Sequence, residues 1–423
     1  MDILLMVFIS IAYLINSRLG ALLLLGVAAY FMISSKGSLY DRVLKVIMYS
    51  VPYYPYSIFG DRQRLSLCIV AVLILCVFLT IEIIHRDWKI SKATAYKMVL
   101  LLVFFIAYVL SVLLGSLASK EALFATYQLV ILGYLICVLP EAKDREMCDI
   151  DRDSLLKIFI SGICATAIAL YIQYGAYTIF DINLGQIFLY NSNRVIFNLY
   201  FSAKSVLSLY FAVGTLYFFI RYINENKLRY LIWVLVILGA MLVNNSRTGL
   251  GSFAVCLVLY CLFHMKQLVG NIRFVAILIL VAIAGTYLVQ YMLETRGSLT
   301  GITDDNGRIE PMVEAFKMLP QYIFAGIGGS EVDYRTSSLG VAVHNFAVSY
   351  LVQCGVVGGL VIDVLLVSPI FTKKNQYWYY LVCVLLGGMF FAGWQNALYI
   401  IPVYILCILE GGKSDVDTMV RSV

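Results

Sequence analysis

Apolar residues occur along this chain in long, nearly unbroken runs, not in the alternation of a half-buried strand or a surface helix. The runs are approximately Ile3–Asn16, Gly20–Ile33, Ile47–Gly60, Leu65–Ile84, Val99–Gly115, Ala122–Leu139, Leu155–Tyr174, Ser205–Ile220, Tyr230–Val243, Leu250–His264, Phe274–Met292, Asn345–Ile370, Trp378–Phe391 and Gly393–Leu409. A helix of about 20 apolar residues crosses the hydrocarbon core of a bilayer, so each run predicts a membrane-crossing helix. Together they predict an all-α fold, a polytopic transmembrane helical bundle of about 12–14 spans. Ile47–Gly60 is the weakest of them, because Pro52 and Pro55 lie inside it; it is expected to be re-entrant or kinked. The expected organisation is residues 1–292 as eleven spans with short loops, 293–344 as one long extracytoplasmic loop, 345–410 as three further spans and 411–423 as a cytoplasmic tail.

Composition agrees with the runs. Of 423 residues, 62% are apolar and 13% charged, and the mean hydropathy is +0.89. A soluble domain carries roughly 25% charged residues, so a soluble enzyme, a secreted disulfide scaffold and a disordered chain are excluded. Cys68, Cys76, Cys137, Cys164, Cys256, Cys261, Cys383 and Cys407 lie inside apolar runs and read as small packing or lipid-facing residues. No CxxC or Cys/His metal-site spacing occurs, and His85, His264 and His344 are scattered. No metal site and no cofactor are expected.

The net charge of +6 is spread over many loops. It reads as topology, and no nucleic-acid partner is expected. With the N-terminus placed in the cytoplasm and the spans alternating, twenty of the 31 basic residues fall inside and eleven outside. That bias follows the positive-inside rule and puts both termini in the cytoplasm. A cleavable signal peptide is not expected, because the first apolar run follows Asp2 without a basic segment. Two outer segments are long, Gly175–Lys204 and Leu293–His344. Function is expected where polar sequence has been added to an otherwise minimal membrane scaffold.

That polar sequence contains an outer arginine set: Arg194 in YNSNRVIFN, Arg247 in NNSRTGLG, Arg308 in DDNGRIEP and Arg335 in DYRTSS. Arginine stays charged and makes bidentate hydrogen bonds to phosphate and carboxylate. Each arginine alone also fits a solvated loop charge; Arg247 stands apart because its turn is short and lies between two spans. The Leu293–His344 loop carries seven acids against four bases, so an anion bound there needs specific arginine contacts, not general attraction. Inside it, EPMVEAFKMLP predicts a short amphipathic helix with Pro311 in its first turn and ended by Pro320, with Met312, Val313, Phe316 and Leu319 on one stripe. Such a helix either lies at the interface as a cap over a lipid-substrate cavity or simply packs on the bundle. GIGG (Gly326–Gly329) allows a tight turn or a close backbone approach and lacks the Lys-Ser/Thr of a phosphate-binding loop. His344, beside Asn345, stands where the long loop meets the next span, and an imidazole there can act as a base. Asp363 is an intramembrane carboxylate, read chiefly as a helix-packing partner. The tyrosines and tryptophans mostly sit near run ends, as interfacial belts do.

The NNSRTG turn, the stretch GRIEPMVEAFKMLPQYIFAGIGG and the segment HNFAVSYLVQCGVVGGL occur in that order. The set resembles the O-antigen polymerases and ligases, the Wzy-type capsular and O-antigen polymerases among them. In that family a Ser-Arg-x-Gly turn precedes a large outer loop with Gly-Arg, a helix, a Pro and a Gly-x-Gly, and then a His-Asn at the next span. The resemblance covers about Asn244 to Leu360 by motif and the remainder by hydropathy. Arg194 lies in NRVIFNLYFSAKS, a looser match to the family's arginine-containing outer loop, with Lys204 nearby.

The resemblance implies a membrane glycosyltransferase with a GT-C-like fold in a bacterial cytoplasmic (inner) membrane, its active site on the extracytoplasmic face. It implies an undecaprenyl-diphosphate-linked oligosaccharide as donor, a second lipid-linked repeat unit as acceptor, the lipid bilayer as environment and a chain-length regulator as a further partner. Transfer would proceed with inversion and without a metal. Arg247 and Arg308 are then expected to clamp the diphosphate and His344 to take or orient the acceptor proton. Arg194, Lys204, Arg335 and Asn345 are expected as substrate contacts. The runners-up are an O-antigen ligase with lipid A–core as acceptor, and a polysaccharide flippase or other transporter.

Overall fold

A computed structural model of the protein describes residues 2–34, 37–60, 65–85, 87, 89–114, 120–143, 150–190, 194–201, 203–264, 309–321, 323–328, 343–371, 377–390 and 399–410. Among them the elements are α1 (Asp2–Ile15), α2 (Ser17–Ser34), α3 (Leu39–Ser50), α4 (Leu67–His85), α5 (Lys92–Leu114), α6 (Lys120–Lys143), α7 (Arg152–Phe180), β1 (Ile187–Tyr190), β2 (Arg194–Phe197), α8 (Lys204–Glu225), α9 (Leu228–Asn244) and α10 (Arg247–Phe263). After them come α11 (Ile309–Met318), α12 (Phe346–Val367), α13 (Trp378–Gly388) and α14 (Ile400–Glu410). The protein is a polytopic helical membrane protein. Among the described residues five helices, α4, α5, α7, α8 and α12 with its continuation to Phe371, are long and apolar enough to cross a bilayer. The shorter apolar helices precede, separate and follow them in sequence. The predicted span Phe274–Met292 lies outside the described residues.

Contacts between successive turns separate two ends of the bundle. At one end Gly60 abuts the Ser17–Arg18 backbone, Gly185 abuts Leu14, and Asn244 bonds the Phe197 carbonyl. At the other, the Asp151 N–H bonds Asp41, the Ser91 N–H bonds Glu141, and the Tyr379 hydroxyl meets His264. The helices therefore alternate in direction, as the charge pattern requires. The first of these is the Arg247 end, since Arg247 begins α10 there. α7 and α8 are central, with 72% of their most apolar windows buried, against 39% for α4 and 28% for α5. The outward faces of α4 and α5 carry residues such as Val77, Leu102 and Phe105, the apolar belt that lipid requires.

The run Ile47–Gly60 is not a continuous helix. α3 is capped by the Ser38 hydroxyl, which accepts from the Asp41 N–H at 3.2 Å, and it stops at Ser50. A 3-10 turn, Val51–Tyr53, and bends to Gly60 follow. Pro52 has no N–H to continue the ladder. The broken stretch is retained because its side chains fill the core: the Tyr53 hydroxyl donates to the Met6 carbonyl at 2.7 Å, and the Tyr13 ring stacks between Tyr53 and Tyr56.

Tyrosine placement also departs from expectation. Tyr49, Tyr53, Tyr200, Tyr210, Tyr350, Tyr399 and Tyr404 are among the largest fully buried side chains and do not form a belt. Two of these hydroxyls are met by backbone carbonyls, Tyr53 by Met6 and Tyr404 by Leu366, which lets a phenol enter an apolar core.

Candidate functional site

The Arg247 end gathers the starts of α8, α10 and α12, three helices that run in the same direction away from it. Asn245, in the left-handed region at φ 53°, closes α9, and Ser246 opens α10, so Arg247 is its first helical residue. Lys204 holds the same position in α8 after Ala203. The two helices pack side by side through their first turns. The Thr248 hydroxyl donates to the Ser205 hydroxyl at 3.3 Å. The Ser208 hydroxyl donates to the Ser246 carbonyl at 3.3 Å and accepts the Gly249 N–H at 3.1 Å. A Cβ at Gly249 would run into Ser208, so glycine there permits the close approach.

This arrangement has an electrostatic consequence. Neither Ala203 nor Ser246 caps its helix with a side-chain oxygen. Apart from the Gly249 and Val206 N–H groups, which bond Ser208 and Ala203, the first-turn N–H groups of two parallel helices, each carrying partial positive charge, thus begin at the same place, where Lys204 and Arg247 add full charges. Both cations are half-buried. An anion, above all a phosphate or diphosphate, is the ligand such a place suits. The long segment before Lys204 is ordered as a hairpin, β1 pairing with β2 in antiparallel register from Ile187↔Phe197 to Tyr190↔Arg194. Arg194 opens β2 on this hairpin, and α7 runs on to Phe180 before it.

His344 and Asn345 stand at the start of α12, which packs on α5, α6 and α11. His344 is half-buried between Val343 and Phe346, both buried. The Asn345 side-chain oxygen accepts the Val348 N–H at 3.2 Å, so it serves as the helix cap. Arg308 and Arg335 lie outside the described residues. Lys204 and Arg247 are therefore the first residues of adjacent helices, and His344 immediately precedes the cap of a third helix at the same end.

The predicted amphipathic helix exists as α11, continued by a 3-10 turn at Leu319–Gln321. Its buried face differs from the expected stripe. Ala315 is wholly buried and Met312 and Leu319 partly so, against Ile327, Val343, Val348 and Val352. Val313 and Phe316 are exposed, at 42% and 48%. Pro311 and Ala315 are close enough to share the face that meets α12, which turns Val313 and Phe316 away. The Lys317 ammonium bonds Glu314 at 2.6 Å, which raises its pKa above the usual lysine value.

Gly326–Gly328 of the GIGG segment makes a close backbone approach. Gly355 breaks α12 with φ 73° and ψ 171°. Ile323–Gly328 lies along the break: Ile327 N–H donates to Val352, Gly328 N–H to Gln353, and Val356 N–H to Ile323. Gly326 and Gly328 have φ of 59° and 72°, and a Cβ on either would strike backbone of Gln353 or Ser111. Backbone freed inside a membrane span must find partners, and this segment supplies them.

Sequence reasoning missed the hydroxyls that join α8 to α10 and the break at Gly355. The first had a signal in the clustered polar residues of AKSVLS and NNSRTG. Residues 232–362 match the family model described as O-antigen ligase. The matched stretch contains Arg247, α11 and His344, and it is consistent with the resemblance carried by those motifs. It indicates a membrane enzyme that transfers glycosyl groups, of O-antigen ligase or polymerase type. No curated protein matches the chain.

Proposed function

We propose that the protein is a polysaccharide polymerase that moves a glycan from a polyprenyl diphosphate to the sugar hydroxyl of a second lipid-linked repeat unit, at the extracytoplasmic face. The observation that carries this reading is that Lys204 and Arg247 are the first residues of two parallel helices joined by hydroxyl contacts in their first turns, Arg247 within the matched region. As the glycosidic C–O bond breaks, negative charge grows on the departing diphosphate. Cations and helix N–H groups fixed in advance stabilise that charge more than they stabilise the bound substrate. Arg308, Arg335 and Arg194 are further proposed ligands of the same group. His344 takes the proton of the attacking hydroxyl, which approaches opposite the leaving group and inverts the anomeric centre. The polyprenyl tail stays in lipid, which requires the enzyme to sit in the membrane.

Arg247→Ala tests the reading. The expected result is a loss of about 100-fold or more in transfer, with single lipid-linked repeats accumulating while the protein inserts normally. Polymer of near-normal length would remove Arg247 from the reaction. The ligase is the second reading, favoured by the description of the matched family. Product analysis separates them: the polymerase lengthens lipid-linked glycan, whereas the ligase transfers it to lipid A–core.

A further inference from the structure

Three buried amide side chains lie behind the Lys204–Arg247 pair and are not used by the reaction above. Gln173 in α7, Asn198 after β2 and Asn244 at the end of α9 are each 0% exposed. The Gln173 NH2 group donates to the carbonyls of Leu184 and Gln186, and its oxygen accepts the Leu199 N–H at 2.9 Å. Asn198 donates to the Phe201 carbonyl. Asn244 donates to the Phe197 carbonyl at 2.9 Å and to the Asn198 oxygen at 3.3 Å. The Asn244 oxygen is buried without a hydrogen-bond partner, so what this side chain contributes passes through its NH2 group.

The chain leaves Asn198 and reaches Lys204 a few residues later, with the Asn198–Phe201 bond shaping the path. It leaves Asn244 and reaches Arg247 across the two-residue turn Asn245–Ser246. Asn244 thus joins the approach to one cation to the approach to the other. The hydroxyl contacts between α8 and α10 hold Ser205, Ser208, Thr248 and Gly249, which follow the two cations, and the Ser208 hydroxyl also holds the Ser246 carbonyl at the end of the incoming turn. The start of that turn is Asn245, in the left-handed region that a non-glycine residue enters at a cost. We propose that Asn244 is a positioning residue that sets Arg247 against Lys204 by pinning the α9–α10 turn to the Phe197–Asn198 segment. The proposal rests on the reading of that pair as a diphosphate site.

The test uses the full-length protein in detergent micelles, titrated calorimetrically with inorganic pyrophosphate. Wild type is expected to bind saturably and Arg247→Ala to lose binding. Asn244→Leu, similar in size and without donors, is expected to bind about tenfold more weakly at unchanged stoichiometry. Asn198→Ala keeps the bond to Phe197 and is expected to weaken binding about two- to threefold. A purely structural role would lower the stoichiometry, through loss of folded protein, and leave the midpoint where it was; that result overturns the proposal. Loss of binding in Arg247→Ala with a wild-type midpoint in Asn244→Leu overturns the positioning role alone. Absence of saturable binding by wild type overturns both the role and the diphosphate reading. If Asn244→Leu does not accumulate, the midpoint of Asn198→Ala decides: a shift supports the proposal and a wild-type value overturns it.

Discussion

The Ile327 N–H donates to the Val352 carbonyl at 2.9 Å, so a segment of the long connection is hydrogen-bonded to the interior of a membrane-spanning helix. The break at Gly355 makes this possible. It frees the Val352 and Gln353 carbonyls from the helical ladder, and the Ile323–Gly328 segment meets both. The same segment leads back to α11, whose apolar face packs beside Val343 and Val348 on either side of His344. The seam at Gly355 and the packing of α11 therefore hold the first turns of α12, which His344 precedes.

Gly355→Ala is expected to open this seam. A Cβ there meets the Phe324 carbonyl oxygen at 2.7 Å, and the residue needs φ 73°. The cost is of the order of 1–3 kcal/mol. Hydrogen exchange checks it: the Ile327 and Val356 amides should lose protection by tenfold or more, and glycan transfer should fall with them. Unchanged protection at both amides would mean that the break does not depend on glycine.

α11 offers a paired comparison on one helix. Ala315 faces the small cluster under α12 and is wholly buried, whereas Phe316 is 48% exposed. Ala315→Asp puts an unpaired carboxylate into that cluster and should release α11, seen as rapid proteolysis near residues 309–321. Phe316→Ser should change thermal stability by no more than about 0.5 kcal/mol. The opposite order of effects would mean that the other face of the helix is the packed one.

Much of this was legible in the sequence, because lipid leaves few choices. Uninterrupted apolar runs between basic loops can only be helices, and α4, α5, α7, α8 and α12 follow them closely. Pro311 in the first turn of α11 and Pro320 in the 3-10 turn after it mark the helix for local reasons that a sequence carries. Its buried face was not legible, since Ala315 counts as weakly apolar and only packing on α12 distinguishes it from Val313. Arg247 stood out as a cation where cations are disfavoured, and Lys204 was legible only as a cation near Arg194. The adjacency of their two helix starts was not legible, because it depends on hydroxyl contacts between α8 and α10 across some forty residues of chain. The break at Gly355 was hidden among several glycines of one apolar run, and its cause lies in a separate segment.

The buried ion pair at the opposite end is expected to be needed as a pair. Lys45 bonds Asp41 at 2.6 Å, one turn apart on α3, and Asp41 also accepts the Asp151 N–H at 3.1 Å. Asp41 is 1% exposed. Lys45→Met leaves a buried carboxylate without its counter-ion and should cost about 3–5 kcal/mol. Adding Asp41→Asn should restore a large part of that loss. Thermal melts of the two single variants and the double variant measure the coupling, and additive losses would remove the ion pair as a unit.

Asp363 presents the reverse case. The sequence suggested a helix-packing partner for it, yet its Oδ1 is buried and has no hydrogen-bond partner. The hydroxyl of Tyr404, on the helix packed nearby, is committed to the Leu366 carbonyl at 2.7 Å. A carboxylate oxygen left in that state is a cost to the fold. Asp363→Asn should therefore raise thermal stability, by about 1–3 kcal/mol, and leave glycan transfer at the wild-type rate, since α12 carries this residue far from the end that holds Arg247 and His344. Melting curves and product ladders from the same membranes read the two effects separately. A variant that is more stable but no longer transfers glycan would make the carboxylate part of the enzyme's working cycle, because a fold is then being kept less stable than it can be in exchange for an activity.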